Sequence, residues 1–304
     1  MSEQKSKDKY GREFFEKPRA RKMNVFNRSF RFGGSTAETH ANDIFKLFEN
    51  YEENKKPKIL GILCDNGPDF SPSSWLVFSY MGKLWKDLNL DQLIICSYAP
   101  RSSRFNPIEI AWGTLSQALA QITLVSDHQK YNYKENKEDL RLMFIQAQDE
   151  LKEIWSKTLY AGKQVNCVNI SPSCEESPYR EYDKVKDALK HGRNSENHQI
   201  YKEHFQFLLS HCVKRSYYLH FKKCKESGCE FCTANPIKNE QAYEFLEKFD
   251  KQLPRPILFE GFYGGDHYPS LLDLMNNEDL QKMHKEKEEL FKSTEKENIC
   301  KKCK

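Results

Sequence analysis

Two acids and five cysteines carry most of the chemistry that this 304-residue chain could perform. Asp65 stands in the turn Asp65-Asn66-Gly67-Pro68, directly after an apolar run, and Glu109 follows 44 positions later in Asn106-Pro107-Ile108-Glu109. Carboxylate oxygens are the ligands that hard Mg²⁺ prefers, and two such ions a few Å apart clamp the attacking and leaving oxygens of a phosphodiester. Each motif also has a local explanation. Asp-Asn-Gly-Pro is favourable turn chemistry, and Asn106, Pro107 and Glu109 are the N-cap, N1 and N3 residues of a helix start. Cys224-x4-Cys229-x2-Cys232 and the closing Cys300-x2-Cys303 are thiolate groups of the kind that hold Zn²⁺ tetrahedrally. Two readings stay open. The Cys300/Cys303 pair completes the site, or Cys224, Cys229 and Cys232 take His211, Cys212 or His220 as a fourth ligand. In either case the ion is structural, adding folding free energy to a region poor in apolar residues.

These residues need elements to hold them. Val25–Phe32 reads as a strand with Phe26, Phe30 and Phe32 on one face, and Thr36 or Ser35 caps a helix running to about residue 53. Residues 58–64 are apolar on both faces, as expected of an interior strand in a covered sheet. A helix at 73–88, a second apolar strand at 93–98 and a helix from Pro107 to about Ile122 follow. Strands alternating with helices indicate an α/β layered domain, which gathers its chemistry at the carboxyl ends of its strands. Asp65 and Glu109 are therefore expected at one rim, their carboxylates about 4–7 Å apart if they share an ion. Cys64 and Cys96 sit within the two apolar strands and read as core residues. The chain divides into a basic tail (1–22), a core (23–160) ending in an amphipathic helix at 135–160, a linker (161–200), and a Cys-rich zinc-binding α+β region (201–304).

Composition narrows the class. Hydrophobic residues make up 38% and aromatic residues 13%, too apolar for a disordered chain, yet mean hydropathy is −0.81. No stretch approaches the roughly 18–20 apolar residues of a membrane span, and the N-terminus lacks the apolar run of a signal peptide. A soluble, unexported protein is expected, whose ten cysteines point to metal or burial before disulfides. The net charge of +4 hides ten Lys/Arg against four acids in residues 1–31, a bias that suits either a solvated tail or contact with a polyanion.

The segments "DNGPDF" and "YAPRSSRFNPIEIAWGTLSQAL" together resemble the DDE transposase and integrase superfamily, whose core is ribonuclease-H-like. The matching positions are Asp65, Gly67, Pro100, Ser102 (or Ser103), Asn106, Pro107, Glu109 and Trp112. The segments "LKEIWSKTLYAGKQV", "KRSYYLHFKKCKESGCEFC" and "LPRPIL" look like those of transposon-derived proteins of animal and fungal genomes, and the likeness covers roughly residues 23–304. It implies that Asp65 and Glu109 are the second and third metal-binding acids of a triad, that Mg²⁺ is the cofactor of strand cleavage, that DNA is the partner and that the protein resides in the nucleus. A homo-oligomer is compatible with it. The first triad acid has no evident home: Asp8 lies among lysines, and Asp43 falls inside a helix. The expectation is thus an incomplete ribonuclease-H-like domain, DNA-associated and catalytically incomplete. The other reading is a nucleic-acid-binding or protein-interaction zinc module without enzymatic activity.

Overall fold

The structure, a computed structural model, describes residues 4–7, 13–16, 22–28, 34–98, 107–124, 137–170, 179, 181–215, 217–249, 257, 274 and 277–302. In the basic N-terminal stretch, β1 (Gln4–Lys7) and β2 (Glu13–Glu16) pair as an antiparallel ribbon. Next come β3 (Asn24–Asn27) and α1 (Ala37–Phe48). Thr36 caps α1: its hydroxyl accepts the Thr39 N–H while the Thr39 hydroxyl accepts the Thr36 N–H, so two orphan donors are satisfied reciprocally.

β4 (Ile59–Cys64), α2 (Trp75–Asp87) and β5 (Gln92–Ser97) form a β-α-β unit whose strands run parallel, Cys64 opposite Ser97. α3 (Pro107–Ala118), α4 (Lys137–Ser156), β6 (Leu159–Tyr160), β7 (Lys163–Gln164) and β8 (Asn166–Asn169) follow. Then come α5 (Tyr182–His191), α6 (Glu196–Ser210), β9 (Cys212–Arg215), β10 (Tyr218–Lys222), α7 (Glu230–Ala234), α8 (Glu240–Glu247) and α9 (Glu278–Lys302).

The main sheet has the order β4-β5-β10-β9, with β10 antiparallel to both neighbours. The protein is α/β with mixed sheets. β9 and β10, from the stretch expected as a Cys-rich region of its own, add to the sheet of β4 and β5 and share its core. The stretch expected as linker carries β7, β8, α5 and the first turn of α6. β8 pairs in parallel with β3 in a two-stranded sheet.

Two expectations about strand faces need correction. Among the described residues β4 is an edge strand, not an interior one, and Leu63 is 56% exposed; β5 takes the interior place because β10 covers its other side. In β3 the buried positions are Val25 and Asn27, while Phe26 is half-buried. Phe30 and Phe32 lie outside the described residues. Asn27 is drawn inward by α4: its amide donates to the Gln148 carbonyl at 3.0 Å, and the Gln148 side chain donates back to the Asn27 carbonyl at 2.9 Å.

The core lies between α2 and the sheet. Val77, Phe78, Met81, Leu84 and Trp85 form a continuous buried face against Leu93, Ile95, Leu219 and Phe221. Full burial of such side chains is worth about 1.5–3 kcal/mol each. α6 crosses α2 at Gly82, where an added Cβ would sit 2.5 Å from Leu208 Cδ1, so only glycine permits this approach. The crossing brings Phe207 and His211 against Trp85, whose ring centroid lies 5.5 Å from that of His211. A second cluster, Val25, Leu115, Trp155, Val165 and Cys167, joins α3 and α4 to β3 and β8.

Candidate metal centre

α6 ends at Ser210, and the next residue, His211, enters β9. The His211 Nδ1 lies 2.8 Å from the Phe207 carbonyl oxygen. A carbonyl only accepts, so Nδ1 carries the proton and the lone pair of Nε2 is free to bind a metal. β9 and β10 then form a hairpin, and the Lys222 N–H donates to the His211 carbonyl at its base. Two residues past β10 comes Cys224. Cys229 immediately precedes α7, and Cys232 lies within that helix. His211 and Cys224 thus stand at the two ends of one hairpin, and α7 folds back over them.

The four potential ligand atoms all lie within 4.8 Å of one another, and His211 Nε2 is 3.4 Å from both Cys229 Sγ and Cys232 Sγ. A tetrahedral zinc with bonds of about 2.3 Å to sulfur and 2.0–2.1 Å to nitrogen sets sulfur–nitrogen separations near 3.5–3.6 Å. Three soft thiols and an imidazole at these distances can hold a metal such as zinc. Burial raises both neighbouring thiols. In Cys229, hydrogen bonds from the Cys232 and Phe231 amides and the adjacent thiols outweigh burial and hold it below the usual range, whereas Cys232 is pushed up to about 12. The Cys224 N–H also donates to Cys232 Sγ at 3.3 Å. With four protein ligands the shell is closed, as in structural rather than hydrolytic zinc sites.

The geometry chooses His211 among the three fourth-ligand candidates. His220 Nε2 donates to Gln92 Oε1 at 3.0 Å, and burial pushes its imidazole down to about 3. Cys212 lies outside the group. The set is complete without Cys300, which lies in α9, and without Cys303, which falls outside the described residues.

A buried ion pair that no sequence motif announced lies beside the centre. Lys223, adjacent to Cys224, is 1% exposed and donates to Asp91 Oδ1 at 3.1 Å and to the Pro236 carbonyl. Asp91 Oδ2 accepts the Lys238 and Asn239 amides, both at 2.8 Å, and the Tyr243 hydroxyl donates to the Asp91 carbonyl at 2.8 Å. A buried charge is tolerated when every proton and lone pair is met. Here the pair ties the metal loop to the start of β5 and to α8.

Asp65 follows β4 directly. It is exposed, and its Oδ1 accepts the Gly67 N–H at 3.3 Å, the local turn bond that Asp-x-Gly favours. Asn66 Oδ1 accepts the Ser71 hydroxyl at 2.7 Å and the Ser97 hydroxyl at 3.4 Å, joining this turn to the end of β5. Nearby, His40 Nε2 donates to Asp69 Oδ2 at 2.9 Å. Glu109 is exposed in the first turn of α3, a helix that packs through Leu115 on Trp155. Among the described residues the His211 group is the only one that gathers three or more metal-ligating side chains; neither Asp65 nor Glu109 is part of such a group. Asp43, weighed as a first acid, is buried in α1 and held by the Arg28 guanidinium at 2.6 and 2.7 Å. Pro100, Ser102, Ser103 and Asn106 lie outside the described residues.

Compared with models of protein families, with curated proteins and with solved structures, the chain matches none of them. No helix among the described residues is long and apolar enough to cross a membrane.

Proposed function

We propose that this chain is a transposase-derived, DNA-associated α/β protein in which a zinc ion at His211, Cys224, Cys229 and Cys232 secures the fold and strand-cutting chemistry is incomplete. The observation that carries the reading is the parallel pairing of β4 with β5, with Cys64 opposite Ser97. That pairing sets the carboxyl ends of both strands at one rim. Asp65 is the first residue beyond β4, and the helix entered after β5 carries Glu109 in its first turn. A ribonuclease-H-like metal site would draw its acids from these two places, where Asp65 and Glu109 would hold Mg²⁺, the ion that polarises a phosphodiester. Two carboxylates without the third supply less charge than two Mg²⁺ ions need. The protein is therefore expected to bind DNA and not to cut it.

The test is a DNA-binding titration across salt concentrations, run beside a plasmid-nicking assay in Mg²⁺. Binding whose logarithm falls steeply with the logarithm of salt, without nicking, is the expected result. Mg²⁺-dependent nicking that disappears in Asp65→Asn and Glu109→Gln would restore the complete enzyme. Absence of DNA binding would leave the second reading, a zinc-built interaction module, which the closed His/Cys₃ group by itself also supports.

A further inference from the structure

Two exposed aromatic residues flank the turn that carries Asp65. Trp75, the first residue of α2, is 49% exposed, and Tyr217, between β9 and β10, is 42% exposed. Hydrogen bonds tie both to that turn. The Ser97 N–H donates to the Tyr217 carbonyl at 3.0 Å, and the Ser97 hydroxyl donates to Asn66 Oδ1. Asn66 Oδ1 also accepts the Ser71 hydroxyl, whose oxygen lies 2.8 Å from the Ser73 hydroxyl oxygen. The Lys214 ammonium donates to the Ser73 carbonyl at 2.6 Å and the Pro72 carbonyl at 3.1 Å, and it lies 4.9 Å from the centroid of the Trp75 ring. Tyr217 is three residues from Lys214, across the tip of a hairpin in which Arg215 pairs with Tyr218. A continuous set of contacts thus runs from Trp75 through Lys214 and the Asn66 turn to Tyr217.

The Trp75 ring is held in place. Phe78, one helical turn on, meets it at an interplanar angle of 78° with centroids 5.2 Å apart, and the Lys214 cation is drawn to the electron-rich ring. Half of the residue nevertheless stays open to solvent. Rigid Trp and Tyr rings present a large contact area at low entropic cost, which is why they dominate recognition surfaces. Unpaired bases stack on such rings whatever their sequence, since every base has a π-face. Along the chain Lys214 and the exposed Arg215 precede Tyr217, and Lys214 touches Trp75. Ring, cation and ring therefore follow one another, an order that suits the base, phosphate and base of a single strand. In a duplex the bases are already stacked on one another and leave no faces for the two rings.

We infer that the Asp65 rim takes DNA as an unpaired strand, its bases stacked on Trp75 and Tyr217. This rests on the DNA-associated reading above and adds to it the form of the DNA and the side chains that hold it.

The experiment titrates the full zinc-loaded chain into a fluorescently labelled oligothymidylate of about twelve nucleotides, within the usual span of single-strand sites, and into a blunt duplex of the same length. Anisotropy reads the affinity at several salt concentrations. The single strand should bind at least about fivefold more tightly than the duplex. Trp75→Ala and Tyr217→Leu should each weaken it by about 5–150-fold, the range for loss of one base–aromatic stack. Stacking releases no counterions, so both variants should keep the salt slope of the parent chain. Trp75→Phe retains a ring and should retain part of the affinity. Tyr217→Leu alters an exposed position between two strands, so its effect is read on a folded protein even where Trp75→Ala unfolds. Equal or tighter binding of the duplex, or single-strand affinity untouched by Tyr217→Leu and Trp75→Phe alike, overturns this inference and leaves DNA association standing. Failure to bind either probe at any salt concentration overturns both.

Discussion

His211, Cys232 and the Lys223–Asp91 pair are buried, and apart from the His211–Phe207 contact they bond to groups well removed in the chain; Asp65 is exposed, and among the described residues its bond stays within its own turn. The difference separates what a fold needs from what it leaves free. The metal corner joins α6, the β9–β10 hairpin and α7, and the neighbouring Lys223–Asp91 pair adds β5 and α8. Removing any member there strands a buried group. The Asp65 rim is held by Asn66, Ser71 and Ser97, so a change at the carboxylate touches only the exposed turn bond from the Gly67 N–H.

The comparison fails first if the metal proves dispensable. Structural zinc contributes about 10–16 kcal/mol in small zinc-binding peptides, as much as the roughly 5–15 kcal/mol of an entire domain. Chelation, or Cys232→Ala, should therefore abolish cooperative unfolding and the near-ultraviolet circular dichroism of the Trp85 cluster. Metal analysis of the intact protein should find one zinc per chain at this site. Unchanged melting after chelation would remove the distinction between the two regions.

Lys223→Met comes next. It leaves Asp91 charged and buried with one partner fewer, a loss of about 3–5 kcal/mol measurable by urea unfolding. A loss below about 1 kcal/mol would mean that water reaches the pair.

Glu38 stands between the two regimes, and its effect is smaller. Burial, reinforced by Asp183 and opposed by the Tyr182 backbone amide, raises its carboxyl from 4.5 to about 7. The folded state then binds a proton that the unfolded chain has released, so stability contributed by this group is fullest below pH 4.5 and declines as pH rises through 7. Because the side chain is only partly buried, screening reduces the effect to roughly 1–2 kcal/mol. Glu38→Gln should flatten that part of the stability–pH curve, and an unchanged slope would assign it to another group.

At the bottom of the scale, Asp65→Asn and Glu109→Gln should each alter stability by less than about 0.5 kcal/mol. A larger loss would make them structural and end their candidacy as free ligands.

Much of the local structure was legible. The apolar run ending at Cys64, the helix around Trp75–Asp87 and the strand ending near Ser97 follow from periodicity and turn signals, because each declares itself over a short window. Pairing was not legible. β10 joins β5 across a separation of 128 positions between His220 and Gln92, and nothing in Tyr218–Lys222 names that partner. The same blindness placed β4 inside the sheet, since an apolar strand reads alike at an edge and at a centre. For the metal site, cysteine spacing supplied three ligands. The fourth depended on which histidine had its Nδ1 on a helix carbonyl, a fact of tertiary structure. Asp91 and Lys223 passed unnoticed because isolated charges in sequence look like surface.

The hairpin closed at its base by His211 and Cys224 bears on the route to the native state. His211 and Cys232 are only 21 positions apart, and short loops cost little entropy to close. An ion captured early can therefore shape the β9–β10 ribbon while β5 is still solvated, delivering a preformed unit to a distant docking partner. Refolding started with zinc present should run markedly faster than refolding to which zinc is added late, because without the ion two floppy strands must find each other and β5 in a single search.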